Sequence, residues 1–514
     1  MSDNSSVSLP SPSLPHPSAP SPALPSRRLL LGSAAGGALL SAASPVLAAP
    51  ALAVGRKPAP KHPAAKPAAK PAAKRPAAHP AVPSDAQAAA AIKAEYLHGW
   101  NGYCAKAWGY DELKPLSGGH NDFFAPGHTF GLSMVEALDT LYVMGCDAEL
   151  ARSRAWVEAH LDPAQDVDMH VFEAVIRVVG GLLAGHLATR SKALLTRARE
   201  FADRLLPAFT SSPTGIPYTH VNLRTGQVQG REVPLAEAGT NMMEFGLLSR
   251  LVGDSRYYDA SLRAYRAVLA RRSALDLLGT TIDAESGRWL DHTSIAPNPP
   301  ADSFSEYLWG GGKLLNDAQL TQWYRMLTQA VQTHQSDVRG GLPWYHPVDA
   351  TTGARTGGTV QSELASFYAG LLGKGGDLAR GAAYFRSWTA VLERHPVLPE
   401  TIDYATFGVV DCGAQLRPEY ANSAFDLWRL TGDASYKAAA WRWFENMRSN
   451  HRVAGGYTVI DDMRPTRPVL GDLTPGYWFA ENLKYLWLMF SGTPRFDYRA
   501  GILSTEGKIL AGVR

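Results

Sequence analysis

The chain has 514 residues with 45% hydrophobic and 10% aromatic content, enough for a large core and far too long for a disulfide-held miniprotein. Its formal charge of +3 is uneven: residues 1–84 hold nine basic groups and one acid, Asp3, leaving 41 basic and 46 acidic groups beyond. That mildly acidic body has no arginine or lysine stripe, which excludes phosphate-backbone recognition as its main task. In chain order, Ser26-Arg27-Arg28-Leu29-Leu30-Leu31-Gly32, an apolar stretch and then Val46-Leu47-Ala48 predict a twin-arginine export signal over 1–48. Such a signal places the mature chain in the periplasm or outside the cell. The apolar run is too short and too rich in Gly, Ala and Ser to span a membrane, so no span is expected in the mature chain. Over 49–85, repeats such as Lys66-Pro67-Ala68-Ala69-Lys70 predict an extended, solvated linker. Cys104, Cys146 and Cys412 can form at most one bridge.

Residues 86–514 read as helices throughout. Apolar residues recur at three- and four-residue spacing over 96–108, 132–144, 171–187 and 425–430, with few runs of period two. The punctuation repeats as well: Leu251-Val252-Gly253-Asp254-Ser255-Arg256-Tyr257 matches Leu430-Thr431-Gly432-Asp433-Ala434-Ser435-Tyr436, with looser copies at Gly145-Cys146-Asp147 and Gly376-Asp377. In each, Gly ends one helix and Asp opens the next by accepting its free amides. The glycines at 145, 253, 376 and 432 stand near multiples of a unit of about 55 to 60 residues, two helices and their loops. About seven such pairs fill the body, as an open solenoid or a closed barrel.

Polar residues inside the apolar helices favour the barrel. Glu173 and Arg177 lie at i and i+4 in an otherwise apolar segment, where burial of charge demands a partner or a purpose. Glu237, Glu244, Glu306, Glu400, Glu419 and Glu481 stand in similarly apolar surroundings, and Pro418-Glu419 puts a carboxylate at a helix start. Several carboxylates, two arginines and aromatic neighbours converging in a bore suggest a carbohydrate pocket, in which one acid protonates a glycosidic oxygen and another activates water.

These residues, in order from about 96 to 510, resemble the class I α-mannosidases of glycoside hydrolase family 47. The matching blocks are Gly131-Leu132-Ser133-Met134-Val135-Glu136-Ala137-Leu138-Asp139-Thr140-Leu141-Tyr142 and then 172–183, 215–218, 235–240, 302–308, 416–419 and 481–490. The resemblance implies an all-α fold, an (α/α)7 barrel, and calcium-assisted hydrolysis of α-1,2-linked mannose with inversion. It further implies that Glu173 is the general acid acting through water, Arg177 its charged neighbour and Glu419 the general base. Arg417 and Glu481 resemble sugar-contacting groups, Tyr477 takes the place of a ring-stacking Phe, and Glu306 and Glu400 match further pocket acids. Ser504-Thr505-Glu506 resembles the motif in which threonine oxygens hold Ca2+, a hard cation suited to many oxygen ligands.

The sequence also departs from that pattern. Ser362 stands where the family has a catalytic Asp, with Glu363 beside it as the candidate third catalytic carboxylate. Asn422 replaces a second glutamate, and Lys508-Ile509 replaces a His-Pro. A degenerate, mannose-binding or scaffold protein on the same barrel is therefore the alternative to an enzyme acting on a mannose-containing glycan.

Overall fold

The computed structural model describes residues 82–492 and 495–514; the export signal expected over 1–48 and nearly all of the linker expected over 49–85 lie outside them. The helical body begins where the proline-rich composition stops. Ser84 and Gln87 form reciprocal capping bonds, Gln87 N to Ser84 Oγ at 3.4 Å and Ser84 N to Gln87 Oε1 at 3.1 Å, at the head of helix Asp85–Lys106.

Outer helices Asp85–Lys106, Asp147–His160, Lys192–Thr210, Arg256–Leu269, Ala318–His334, Leu378–Leu392 and Ala434–His451 alternate with inner segments. The inner segments are Leu132–Val143, Val171–Thr189, Leu235–Gly239 with Met242–Val252, Asp302–Leu314, Glu363–Phe367 with Tyr368–Lys374, Glu419–Thr431, and Trp478–Asn482 with Leu483–Phe490. Neighbouring inner segments pack together around the ring; Trp309 joins the fourth to the fifth by donating to the Lys374 carbonyl at 3.1 Å. The last, Leu483–Phe490, returns to Leu132–Val143 and closes the circle. The described residues thus form the expected (α/α)7 barrel.

The two rings differ in composition for a physical reason. An outer helix such as Arg256–Leu269 buries Tyr257, Leu262, Tyr265 and Val268 on one stripe and exposes the other face. An inner helix is covered on one side by the outer ring and faces the bore on the other; every residue of Leu132–Val143 except Tyr142 is buried. Val171–Thr189 is the one helix among the described residues long and apolar enough to cross a membrane, and it is a buried wall of the barrel.

The repeated glycines adopt the left-handed backbone that ends a helix, with φ of 64° at Gly145, 68° at Gly253, 107° at Gly376 and 71° at Gly432. The aspartates vary more than expected. Asp377 and Asp433 cap their helices, and Asp254 accepts from Arg256 N at 3.2 Å just before its helix. Asp147 instead lies inside the first turn and pairs with Arg495 at 2.6 Å. The periodicity missed the strands, which are two to four residues long, too short to show alternation. Three of them matter: Asp168–His170, Glu232–Pro234 and Val360–Ser362 each belong to a three-stranded antiparallel ladder and run straight into an inner segment bearing a glutamate. Cys104, Cys146 and Cys412 are free thiols.

Candidate active site

Each inner segment carries at least one buried glutamate: Glu136, Glu173, Glu237 and Glu244, Glu306, Glu363, Glu419 and Glu481 in ring order. The C-terminal hairpin, Ile502–Leu503 paired with Ile509–Ala511, adds Thr505, Glu506 and Lys508 from its turn, all buried. The turn reaches the inner wall. A Cβ on Gly507 would stand 2.9 Å from Glu481 Cγ, and one on Gly180 would stand 3.4 Å from both Glu244 Cγ and Lys508 Cγ.

Arg177 is the hub on one side. Its Nε donates to Glu173 Oε2 at 2.5 Å, and its Nη1 donates to Glu136 at 3.1 Å and to Glu506 at 3.0 Å. Burial opposes its charge, yet Glu506, Glu173 and Glu136 outweigh that and hold the guanidinium well above its ordinary pKa. The backbone carrying it, Ala174–Val179, is a π-helical segment, as is Trp478–Asn482; such widened turns re-aim side chains and recur at functional sites. Glu173 Oε1 and Arg177 Nη2 are buried and make no hydrogen bond among the described residues, so a donor and an acceptor remain for an incoming group.

Arg417 is the hub opposite. Its Nε and Nη2 both donate to Glu400 Oε2, at 3.0 and 2.9 Å, and Gln415 N holds Glu400 Oε1 at 2.9 Å. The preceding Leu416 has φ of 60°, a strained backbone for a non-glycine residue, and Asn482 Nδ2 donates to its carbonyl at 2.7 Å. Glu419 follows Pro418 as the first residue of its helix, where unpaired amides favour a carboxylate. Tyr477 joins the two sides: its ring lies 5.6 Å from Arg177 and 5.8 Å from Arg417, and its hydroxyl donates to the Gln415 carbonyl. A flat ring between two cations is a ready platform for a sugar face.

The altered segment has a defined conformation. Ser362 spends its hydroxyl accepting from Leu364 N at 3.3 Å, capping the 3₁₀ turn Glu363–Phe367, while its own N–H donates to Asn298 at 2.9 Å. Glu363 is buried in that turn, and its N–H donates to the Glu400 carbonyl at 2.9 Å. The 3₁₀ entry thus sets the Glu363 backbone against Glu400, which immediately precedes strand Thr401–Asp403, and leaves a buried carboxylate next to the altered position. Asn422 points along its own helix toward Asp426 Oδ2, 3.5 Å away.

Several charged groups escaped the sequence reading. Glu136 lay in a matching block and Glu506 in the Ser-Thr-Glu motif, yet neither spacing revealed a shared arginine. Glu112 accepts from Gly476 N at 3.0 Å and Asn121 at 2.8 Å, and burial pushes it up to about 7. Glu244, by contrast, was among the acids the sequence singled out; it accepts from Tyr307 at 2.8 Å and burial raises it to about 8. The buried Lys484 is pushed down to about 8 by burial, against the pull of Asp139.

A closed ring of helices whose inner segments each carry a buried carboxylate, with two buried arginines beside a tyrosine ring, defines a carbohydrate-processing barrel. The profile of glycosyl hydrolase family 47 matches residues 95–512. Among similar proteins are alpha-mannosidase I MNS5 of Arabidopsis thaliana, 32% identical over 82% of this chain and 76% of its own length, and mannosyl-oligosaccharide 1,2-alpha-mannosidase IB of Mus musculus, 31% identical over 82% and 69%. The fold matches that of the alpha-1,2-mannosidase from Trichoderma reesei with a TM-score of 0.76 at 23% identity, over 84% of this chain and 99% of that one. The chain belongs to glycosyl hydrolase family 47.

Proposed function

We propose that this protein is an exported, calcium-dependent, inverting glycosidase that releases terminal α-1,2-linked mannose from a glycan. The observation that carries the reading is the pairing of Glu173, held by Arg177 with one oxygen open, with Glu419 at the head of its helix in the same family barrel. Relatives bearing the name mannosyl-oligosaccharide 1,2-alpha-mannosidase support the substrate.

In this reading Glu173 gives its proton, through a water, to the leaving glycosidic oxygen while Arg177 fixes its carboxyl. Glu419 takes a proton from the water that attacks from the opposite face, aided by the helix amides beside it. Tyr477 lies beneath the mannose ring, and Arg417, oriented by Glu400, grips its hydroxyls with Glu481 and Glu306. Glu363 supplies the third carboxylate of the wall. The donor set suits a hard cation: Thr505 offers hydroxyl and carbonyl oxygens, and the same turn carries the buried Glu506 and lies against the buried Glu481. Calcium held at Thr505 would supply positive charge for sugar hydroxyls. Export rests on Arg27-Arg28 and the apolar stretch after them.

The test is mannose release from α-1,2-mannobiose with calcium and with chelator, alongside Glu173→Gln and Glu419→Gln, with NMR of the first-formed anomer. Expected are calcium-dependent turnover, initial β-mannose, and a loss of about 10² to 10⁴ in kcat for each variant. The capping role of Ser362 and the turn of Asn422 toward Asp426 favour a second reading, a mannose-binding protein. Calcium-dependent sugar binding without turnover would establish that one instead.

A further inference from the structure

Two lysines of the barrel are completely buried, and both reach the same turn. Lys484, on the last inner helix, donates to Asp139 Oδ2 and to the Gly507 carbonyl, each at 2.7 Å. Lys508, in the turn itself, donates to the Glu136 carbonyl at 3.2 Å and to Glu136 Oε1 at 3.4 Å. Glu136 and Asp139 are three residues apart on one helix and so present their carboxylates on one face. Asp139 Oδ2 also accepts from Ile509 N at 2.8 Å. A buried ammonium persists only where fixed partners replace its water, so this turn is held by charge at several points.

The attachments continue to the acid. Glu136 Oε1, which Lys508 contacts, also accepts from Arg177 Nη1; that nitrogen binds Glu506 of the turn, and the same guanidinium binds Glu173. Lys508, Glu136, Arg177 and Glu506 therefore form a closed loop with Thr505 inside the turn and Glu173 on its rim. If Lys508 loses its charge, Arg177 becomes the remaining cation bonded to Glu136 while still serving Glu506 and Glu173.

We propose that Lys508 is a positioning residue that locks the Thr505 turn to Glu136 and, through Arg177, to Glu173, coupling cation binding at the turn to the placement of the acid. This rests on the calcium and acid roles proposed above. Lys484 holds the far side of the turn to Asp139 and is the structural anchor; Lys508 is the member that reaches the acid.

The experiment uses the full chain, as wild type, Lys508→Met and Lys508→Arg. Calcium affinity is measured by calorimetry without substrate, thermal melting in chelator, and kcat and KM at saturating calcium. For Lys508→Met, calcium binding weaker by about tenfold or more and kcat lower by about tenfold with KM nearly unchanged are expected, with Lys508→Arg recovering most of both. Lys508→Gln, which keeps an N–H donor, replaces the methionine variant if that one does not fold. Calcium affinity and kcat within about twofold of wild type in the uncharged variant would overturn the proposal. So would equal losses in the uncharged and arginine variants that track melting temperature alone. A wild type that turns over mannobiose but binds no calcium would refute the calcium reading itself, and with it the coupling.

Discussion

Glu244 gives the sharpest prediction about stability. Its carboxyl is enclosed by the barrel wall, Oε1 accepts from Tyr307 at 2.8 Å, and Oε2 has no hydrogen-bond partner among the described residues. Burial raises it from 4.5 to about 8, with the Tyr307 bond opposing. Between those values the folded protein keeps a proton that the unfolded chain has released, so stability is greatest below 4.5 and falls as pH rises toward 8. Across pH 5 to 8, three units at about 1.36 kcal/mol each amount to about 4 kcal/mol. Glu244→Gln preserves the shape and the acceptor for Tyr307 but cannot ionise. Its melting temperature relative to wild type should therefore rise with pH. With an unfolding entropy of about 2 cal/mol/K per residue over the barrel, the relative gain from pH 5 to pH 8 is about 5 °C. The assay is calorimetric melting of both proteins in chelator at the two pH values. A difference that stays constant with pH would refute the claim that burial holds this carboxyl protonated.

Other outcomes follow from particular contacts. Arg417→Met strands Glu400 without its cation and should cost about 3 to 5 kcal/mol in denaturant unfolding, whereas Arg417→Lys recovers part of the charge but not the two-pronged grip. Tyr477→Phe keeps the ring and loses only the bond to the Gln415 carbonyl, so KM should stay within about threefold, while Tyr477→Ala should lower kcat/KM by more than tenfold, roughly the worth of a stacking face. Gly181→Ala would set a Cβ 2.7 Å from the Val135 carbonyl, in backbone that cannot swing aside; a drop of about 1 to 3 kcal/mol in stability is expected by denaturant titration.

The helical pairs and much of the candidate site were legible in the chain because they depend on local rules. Apolar spacing fixes which face of a helix is buried, glycine fixes where a helix stops, and the ordered blocks around Glu173, Glu419 and Glu481 carry the family resemblance. The strands were illegible because two to four residues cannot display an alternation. Glu363 was ambiguous for a related reason: one residue along an ideal α-helix is a rotation of about 100°, and the sequence does not show that this segment enters through a 3₁₀ turn capped by Ser362, with the Glu363 N–H on the Glu400 carbonyl.

By itself, the sequence determined the type of wall this protein builds and the acids placed on it. Which charges meet was decided only by closing the ring. Arg177 finds Glu506 across 329 residues, and Lys508 finds Glu136 across 372. Lysine is ordinarily a surface residue, and nothing in its neighbours along the chain says that it will be buried. Its partners exist only because the C-terminal turn is inserted against the first and last inner helices, where loss of water makes every unpaired charge costly and so selects the pairing.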